Sequence, residues 1–216
     1  MDDIFQAVPG HNDYRYLTTK RIVDLGLKGL FYNVKVLLVR KGFQVAYKNL
    51  EDYKAISSSS SIGGVVVTGQ PGIGEYLLPT ADSITDNCYS HNLGKTCFIH
   101  YLLLRLLCEK KTVAFQVNNH FLLFQDTGVE FARDCSDKAD AGTFIPPGTW
   151  ALTDSHAKYV LPCEAFQAAS TLGHAWIVQT TLPSLNNWNP WLKTLSPFMY
   201  MMDVFSLDEL SVLGYV

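Results

Sequence analysis

Charge is scarce in this chain: only 17% of its 216 residues are charged, while 48% are hydrophobic. That balance excludes a self-repelling disordered segment and predicts one globular domain with a sizeable core. The formal net charge of −3 supplies no global basic field, so nothing direct points to nucleic acid as a partner. A local basic stretch from Lys35 to Lys48 is mixed with Val and Leu and reads as a solvated strand face. The five cysteines are odd in number and show no CxxC spacing, so no disulfide framework or metal site follows from them. Met1-Asp2-Asp3-Ile4 has neither the basic nor the apolar region of a secretory signal. Cys97 to Cys108, the most apolar run, is interrupted by His100 and Arg105 and is too short to span a bilayer. Together these absences predict a soluble, intracellular chain, cytoplasmic or nuclear, with no membrane partner. There is no internal repeat and no heptad pattern.

What the sequence does contain is an alternation of apolar strands and helices from Ile62 onward. That is the pattern of a mainly parallel sheet covered on both faces, an α/β fold. Residues 1–61 read as an N-terminal segment closed by a serine-rich linker at Ser57–Ser61, and 62–216 as the main domain. Within the first segment, Val34–Val39 fits a strand or a short helix, and Phe43–Tyr53 fits a helix. Strands are expected at Gly64–Thr68, Thr112–Gln116, Thr149–Thr153, Ala175–Thr180 and Phe198–Phe205. His120–Phe124 and Gly128–Phe131 predict an appended hairpin, followed by a polar loop over 132–149. Helices are expected at Thr96–Glu109, Pro162–Ser170 and Trp188–Leu195. Ser206-Leu207-Asp208-Glu209 has the spacing of a capping box, so another helix should start there. The chain stops soon after, which reads as a C-terminal truncation.

The chemistry-bearing feature is a phosphate-binding motif in two halves. Gly69-Gln70-Pro71-Gly72-Ile73-Gly74 follows a β-branched strand, and Gly94-Lys95-Thr96 opens an apolar helix. Removal of residues 75–94 rejoins them as G-x-x-x-x-G-K-T, the P-loop or Walker A pattern, with strand before and helix after. Glycines there let successive backbone amides curl around phosphate oxygens, and the helix N-terminus adds partial positive charge. Lysine then reaches the outer phosphates and the threonine hydroxyl ligates Mg²⁺. Lengthening this loop costs only about 1.2 kcal/mol of closure entropy. An outward excursion of Glu75–Leu93, with Gly94 standing where Gly74 would, keeps the halves together. An in-frame intron read through as protein is one origin for the insertion.

A P-loop ATPase also needs an acidic residue at a strand end to hold the metal or position water. Asp154, after Trp150-Ala151-Leu152-Thr153, fits that place or caps the segment that follows. No Glu follows it, so a strong general base is missing there. Thr180 and Thr181, at the next strand end, suit γ-phosphate sensing or a turn. Asp203, late in the last strand, could face the same cleft. Asp154-Ser155-His156 is no catalytic triad, because that geometry is assembled in space and not by consecutive residues. His100, Trp176, Trp188 and Trp191 read as core.

With its halves joined, Val65–Gly74 followed by Lys95-Thr96 resembles a fungal expansion of P-loop NTPases, the Crinkler and retrotransposon-hot-spot type. The likeness continues through Tyr101–Leu107, Val113–Gln116, Leu123–Gly128, Trp150–Ser155, Ile177–Thr181 and Met202–Leu207. It implies a three-layer, ASCE-like domain that binds ATP and Mg²⁺, often coupled to a separate effector. Gly69, Gln70, Pro71, Gly72, Ile73, Gly74, Gly94, Lys95, Thr96 and Thr180 are then expected around the nucleotide. Thr96 and Asp154 fall to the metal, and Lys95 and Asp154 to catalysis. The expected function is an ATP-binding switch with weak hydrolysis. The alternative is a non-catalytic fragment or interaction module whose nucleotide site the insertion disrupts.

Overall fold

Gly64–Gly69 is buried at every position in the computed structural model, as a β-branched run without charges should be when both faces of its sheet are covered. The structure describes residues 4–8, 10–18, 20, 30, 36–57, 62–69, 93–118, 120–133, 144–155, 161–181, 191, 193, 195–203 and 206–209. The expectations placed on Gln70–Gly74, on most of the 75–94 insertion, on Ser58–Ser61 and on Trp188 lie outside these residues. In chain order the elements are strands β1 (Gln6–Val8), β2 (His11–Thr18) and β3 (Val36–Val39), helix α1 (Lys41–Ser57) and strand β4 (Gly64–Gly69). Helix α2 (Leu93–Cys108), strands β5 (Val113–Val117), β6 (His120–Gln125), β7 (Gly128–Arg133) and β8 (Thr149–Asp154) follow. Helix α3 (Glu164–Thr171) and strands β9 (Ala175–Thr180) and β10 (Phe198–Met202) complete the described elements.

The main sheet has seven strands in the order β10-β4-β9-β8-β5-β6-β7. The pairings from β10 through β5 are parallel, and β6 and β7 add an antiparallel hairpin at one edge. This is an α/β architecture with a mostly parallel sheet, compatible with three layers. One core cluster joins Val65, Val67, Leu152 and Val178 to Phe98, Ile99, Leu102 and Leu103 of α2 and to Phe43, Ala46 and Leu50 of α1. The other joins Val66, Ala151 and Ile177 to Ala165, Phe166 and Ala169 of α3 and to Trp191. Alternate residues of each central strand therefore face different helical layers. Phe98, Ile99, Leu102, Leu103 and Leu106 of α2 are all fully buried. Each contributes about 1.5–3 kcal/mol of transfer free energy, against which conformational entropy is set.

Three expectations are corrected. Gln6–Val8 and His11–Thr18 are strands that join β3 in a separate three-stranded sheet, β1 pairing with β2 and β2 with β3, where the sequence read only as an N-terminal segment. Alternation there is weak, because Tyr14 and Leu17 are both buried although they sit three apart. The basic stretch is not a solvated strand face. Leu37, Leu38 and Val39 are buried, and Arg40 is 2% exposed. Its guanidinium forms an ion pair with Glu209 at 3.0 Å and donates to the Asp203 carbonyl at 3.2 Å. Burying that charge is tolerable only with such partners. The last strand ends at Met202, so Asp203 lies beyond it and contributes its backbone oxygen to Arg40.

The capping box forms as its spacing predicts. Ser206 N–H donates to Glu209 Oε2 at 3.0 Å, and Glu209 N–H donates to Ser206 Oγ at 3.2 Å. His100 is likewise a satisfied core histidine, with ring nitrogens 2.7 Å from the Thr96 carbonyl and 2.8 Å from the Leu30 carbonyl. Trp176 and Trp191 are buried as expected.

Candidate functional site

Parallel strands deliver their C-terminal ends to one edge, and that edge is where open α/β sheets place their ligands. Here it gathers Gly69 of β4, Thr180 of β9, Asp154 of β8 and Met202 of β10. Register fixes their neighbourhood: Asp154 pairs with Thr180, Thr180 with Val67, and Met202 with Gly69.

Helix α2 brings its first turn to the same edge. Thr96 Oγ1 donates to Asp154 Oδ2 at 2.8 Å, and Thr180 Oγ1 donates to Asp154 Oδ1 at 2.6 Å. One carboxylate thus holds a hydroxyl on each oxygen, one from a helix and one from the neighbouring strand. Three residues picked out separately in the sequence converge on one point. Lys95 sits beside Thr96 and is only 4% exposed, unusual for a residue type that keeps its ammonium in water.

Gly94 lies in the opening turn of the helix that Gly94-Lys95-Thr96 was expected to open. Helix α2 starts at Leu93, so Gly94 is its second residue and not part of a loop. Its amide still belongs to the first turn, whose N–H groups have no partner inside the helix. The end of the insertion is therefore already helical and contributes donors by helix geometry. Gly69 closes β4, and the sequence run it begins continues outside the described residues.

Cys97, next along α2, was not singled out by sequence. Its thiol is pushed up to about 12, first by burial and then by the Asp154 carboxylate, with Arg40 opposing. It stays a neutral thiol at physiological pH and offers no nucleophile to the site.

On the opposite face of β4 and β9 lies a second polar group. Gln179 Nε2 donates to Ser155 Oγ at 2.5 Å, and Trp191 Nε1 donates to Gln179 Oε1 at 2.5 Å. The position after Asp154 is thus a serine engaged with an amide, not a carboxylate able to take a proton from water. Thr68 and Thr181 complete this face. Thr68 is 2% and Thr181 1% exposed, and among the described residues neither hydroxyl has a hydrogen-bond partner.

The other end of the parallel strands is different in kind. A hollow of about 510 Å³ lies between the C-terminal end of α2 and the β6–β7 turn, lined in part by Lys110, Lys111, Phe124 and Asp126. Lys54, near Lys111, lies over the Trp150 ring with its ammonium 4.4 Å from the centroid and donates to the Gly148 carbonyl at 2.9 Å. Burial, then repulsion from Lys111, lowers its pKa from 10.5 to about 8. Because the unfolded chain holds this proton more tightly, stability should rise as pH passes from about 8 toward 10.5. Urea unfolding across that window should show the rise, and Lys54→Met should flatten it.

Among the described residues no group of three or more His, Cys, Asp or Glu is placed to hold a metal, and no helix is long and apolar enough to cross a membrane. No protein-family model, curated protein or solved structure matches the chain.

Proposed function

We propose that this chain is an ATP-binding P-loop domain of ASCE type that works as a nucleotide-dependent switch, with weak hydrolysis. The observation that carries the reading is the Thr96–Asp154–Thr180 cluster. A lysine-threonine pair in the first turn of a helix meets a strand-end aspartate beside the end of a glycine-terminated, fully buried strand. The sequence motif and the spatial cluster share Thr96, and Asp154 and Thr180 come to it from separate strands. Strand order adds support, since β9 lies between β4 and β8 and so sets Thr180 between Gly69 and Asp154.

The residues present suit Mg²⁺. This ion is commonly held by one or two carboxylates together with substrate phosphates, and seldom by a cage made wholly of protein. Asp154 supplies the carboxylate and Thr96 the hydroxyl, and bound Mg²⁺ would neutralise phosphate charge. The chain's own part is positional: Thr180 fixes one oxygen of Asp154, and the first turn of α2 presents amides and Lys95 to an anion. Ser155, held by Gln179, gives water activation no strong base. Binding therefore outlasts chemistry, which suits a switch.

Fluorescent-ATP titration with and without Mg²⁺ tests the reading. Mg²⁺ should tighten binding to the full chain by at least about tenfold, or about 1.4 kcal/mol. Asp154→Asn, which keeps the size and one acceptor oxygen, should lose that gain while retaining Mg²⁺-independent binding. ATP binding that ignores both Mg²⁺ and Asp154 would overturn the metal assignment. If only a form lacking residues 75–94 binds, the insertion has disabled the site and the fragment reading stands.

A further inference from the structure

We propose that the open face of the β6–β7 hairpin and the hollow beside it form a docking site for an amphipathic, acidic helix of a partner protein. The proposal is independent of the nucleotide reading. The hairpin stands at one edge of the sheet, and the hollow lies at the end of α2 away from Thr96 and Asp154.

Register sets the face. Val129 pairs with Phe124, Phe131 with Leu122, and His120 with Arg133. Strand alternation puts His120, Leu122, Phe124, Val129 and Phe131 on one side of the hairpin. Leu122 and Phe124 pack in the same core cluster as α2, so this is the α2 face. Helix α2 covers only its inner part. Phe124 is 8% exposed, whereas Val129 and Phe131 on the outer strand are each 59% exposed. The His120 ring lies 5.1 Å from that of Phe131 and extends the strip along the hairpin. The hollow opens at the other end of the strip, where Leu107, Phe124 and Val129 give it apolar walls.

The placing of these side chains selects a helix over a strand. The outer edge of β7 pairs with no further strand among the described residues. A strand added there would extend the sheet and leave Val129 and Phe131 as open as before. A helix laid on the face closes it, in the layer that α2 already occupies. Two positions along a strand span about 6.7 Å. Helix residues three or four apart lie at about 5–6 Å, so one apolar stripe can meet both side chains.

The rim sets the charge of the partner. Lys110 and Lys111 border the hollow, both exposed, and neither has an ion-pair partner among the described residues. Asp126 is the one carboxylate among the described residues that line it. Glu109 is already taken by Arg105 and by the Tyr47 hydroxyl. Lys54 adds a third ammonium, close enough to Lys111 to be repelled by it. This local excess of cations sits on a chain of net charge −3. Lys110 is also held at φ 54°, a left-handed conformation in which glycine escapes the Cβ clash. The helix dipole favours a cation after α2, which Lys111 supplies without that strain. A second lysine kept at the strained position suits a partner that brings carboxylates to the rim.

The test selects helical peptides of about 20 residues from a randomised display library against the full chain. Enriched sequences should carry apolar residues at i, i+3, i+4 and i+7 with Asp or Glu beside them. For one synthesised winner, Phe131→Asp and the Lys110→Glu, Lys111→Glu double variant should each weaken binding about tenfold or more by fluorescence anisotropy. Replacing the peptide's carboxylates with lysine should restore binding to the double glutamate variant and not to wild type. Phe131→Leu, which keeps an apolar surface, should retain binding, and circular-dichroism melts check that every variant is folded. Enrichment of no helix, of basic helices, or of peptides indifferent to these variants would overturn the proposal. So would a dimer abolished by Phe131→Asp, which assigns the face to a second copy. Binding to anionic-lipid vesicles, lost in the same variants while no peptide binds, would overturn it as well.

Discussion

Gly64→Ala is expected to destabilise the fold by about 3 kcal/mol or more, and Gly64→Val by more still. Gly64 opens β4 directly opposite Ile177 of β9. A Cβ built there would lie 2.2 Å from the Ile177 carbonyl oxygen and 2.9 Å from its carbon. Both are backbone atoms in the middle of a parallel ladder, so no side-chain rotation relieves the clash. The strands must separate, and the strands that would move carry Gly69 and Thr180 to the candidate site. Gly63 shows how tightly this corner is closed: its carbonyl accepts from Ser170 Oγ at 2.9 Å and from Ile177 N–H at 3.0 Å. Gly42→Ala is the contrasting case, since nothing lies within 4 Å of its Cβ position in α1. That change should be neutral or stabilise by about 0.5–1 kcal/mol through helix propensity and the unfolded state. Urea midpoints at constant m-value separate the two. Equal, small shifts for both glycines would mean that β4 and β9 are not this close.

Elements whose pattern is local were legible in the sequence. β9 begins and ends where Ala175–Thr180 is expected, and the β6–β7 hairpin and the Ser206–Glu209 capping box follow directly from run length, turn residues and spacing. Strand β4 announced itself as Val65-Val66-Val67 ending at glycine. The first two strands did not, because they belong with β3 to a separate sheet and the alternation of β2 is broken by Leu17. Arg40 was misread for a related reason. Charge in a sequence carries no sign of its partner, and Glu209 lies 169 positions away.

The candidate site divides in the same way. Lys95, Thr96 and Asp154 were nominated by motif and by strand-end position, and the fold brings Thr96 and Asp154 into contact across 58 positions. Thr180 was nominated as a nucleotide contact, and it also fixes the free oxygen of Asp154. Thr68 had no signal of its own, since a threonine ending a strand is ordinary until its hydroxyl is seen to be unpaired. Ser155 and Gln179 were invisible as a pair because strand register alone makes them neighbours. A gap where a general base was expected could be read from sequence, but only register shows that an amide engages the serine in its place.

Lys95→Ala should separate function from stability most sharply. Lys95 lies in the first turn of α2, where unpaired amides and the helix dipole already favour an anion. Lys95 is only 4% exposed, and burying a lysine carries a desolvation cost that its surroundings must offset. A triphosphate bound as proposed would take charge-assisted hydrogen bonds from this ammonium in a poorly hydrated setting. Removing the ammonium should therefore weaken Mg²⁺-ATP binding about a hundredfold, or about 2.7 kcal/mol. Lys95→Met, which keeps the buried stem, should lose as much affinity, so that the loss is one of charge and not of packing. A lysine kept for packing gives the opposite pattern, with alanine lowering the melting temperature, methionine restoring it, and nucleotide affinity unmoved. Calorimetric titration and thermal melts of the three proteins decide between them. Loss of affinity in Lys95→Met, whose buried stem is kept, is the signature of a charge that the ligand uses.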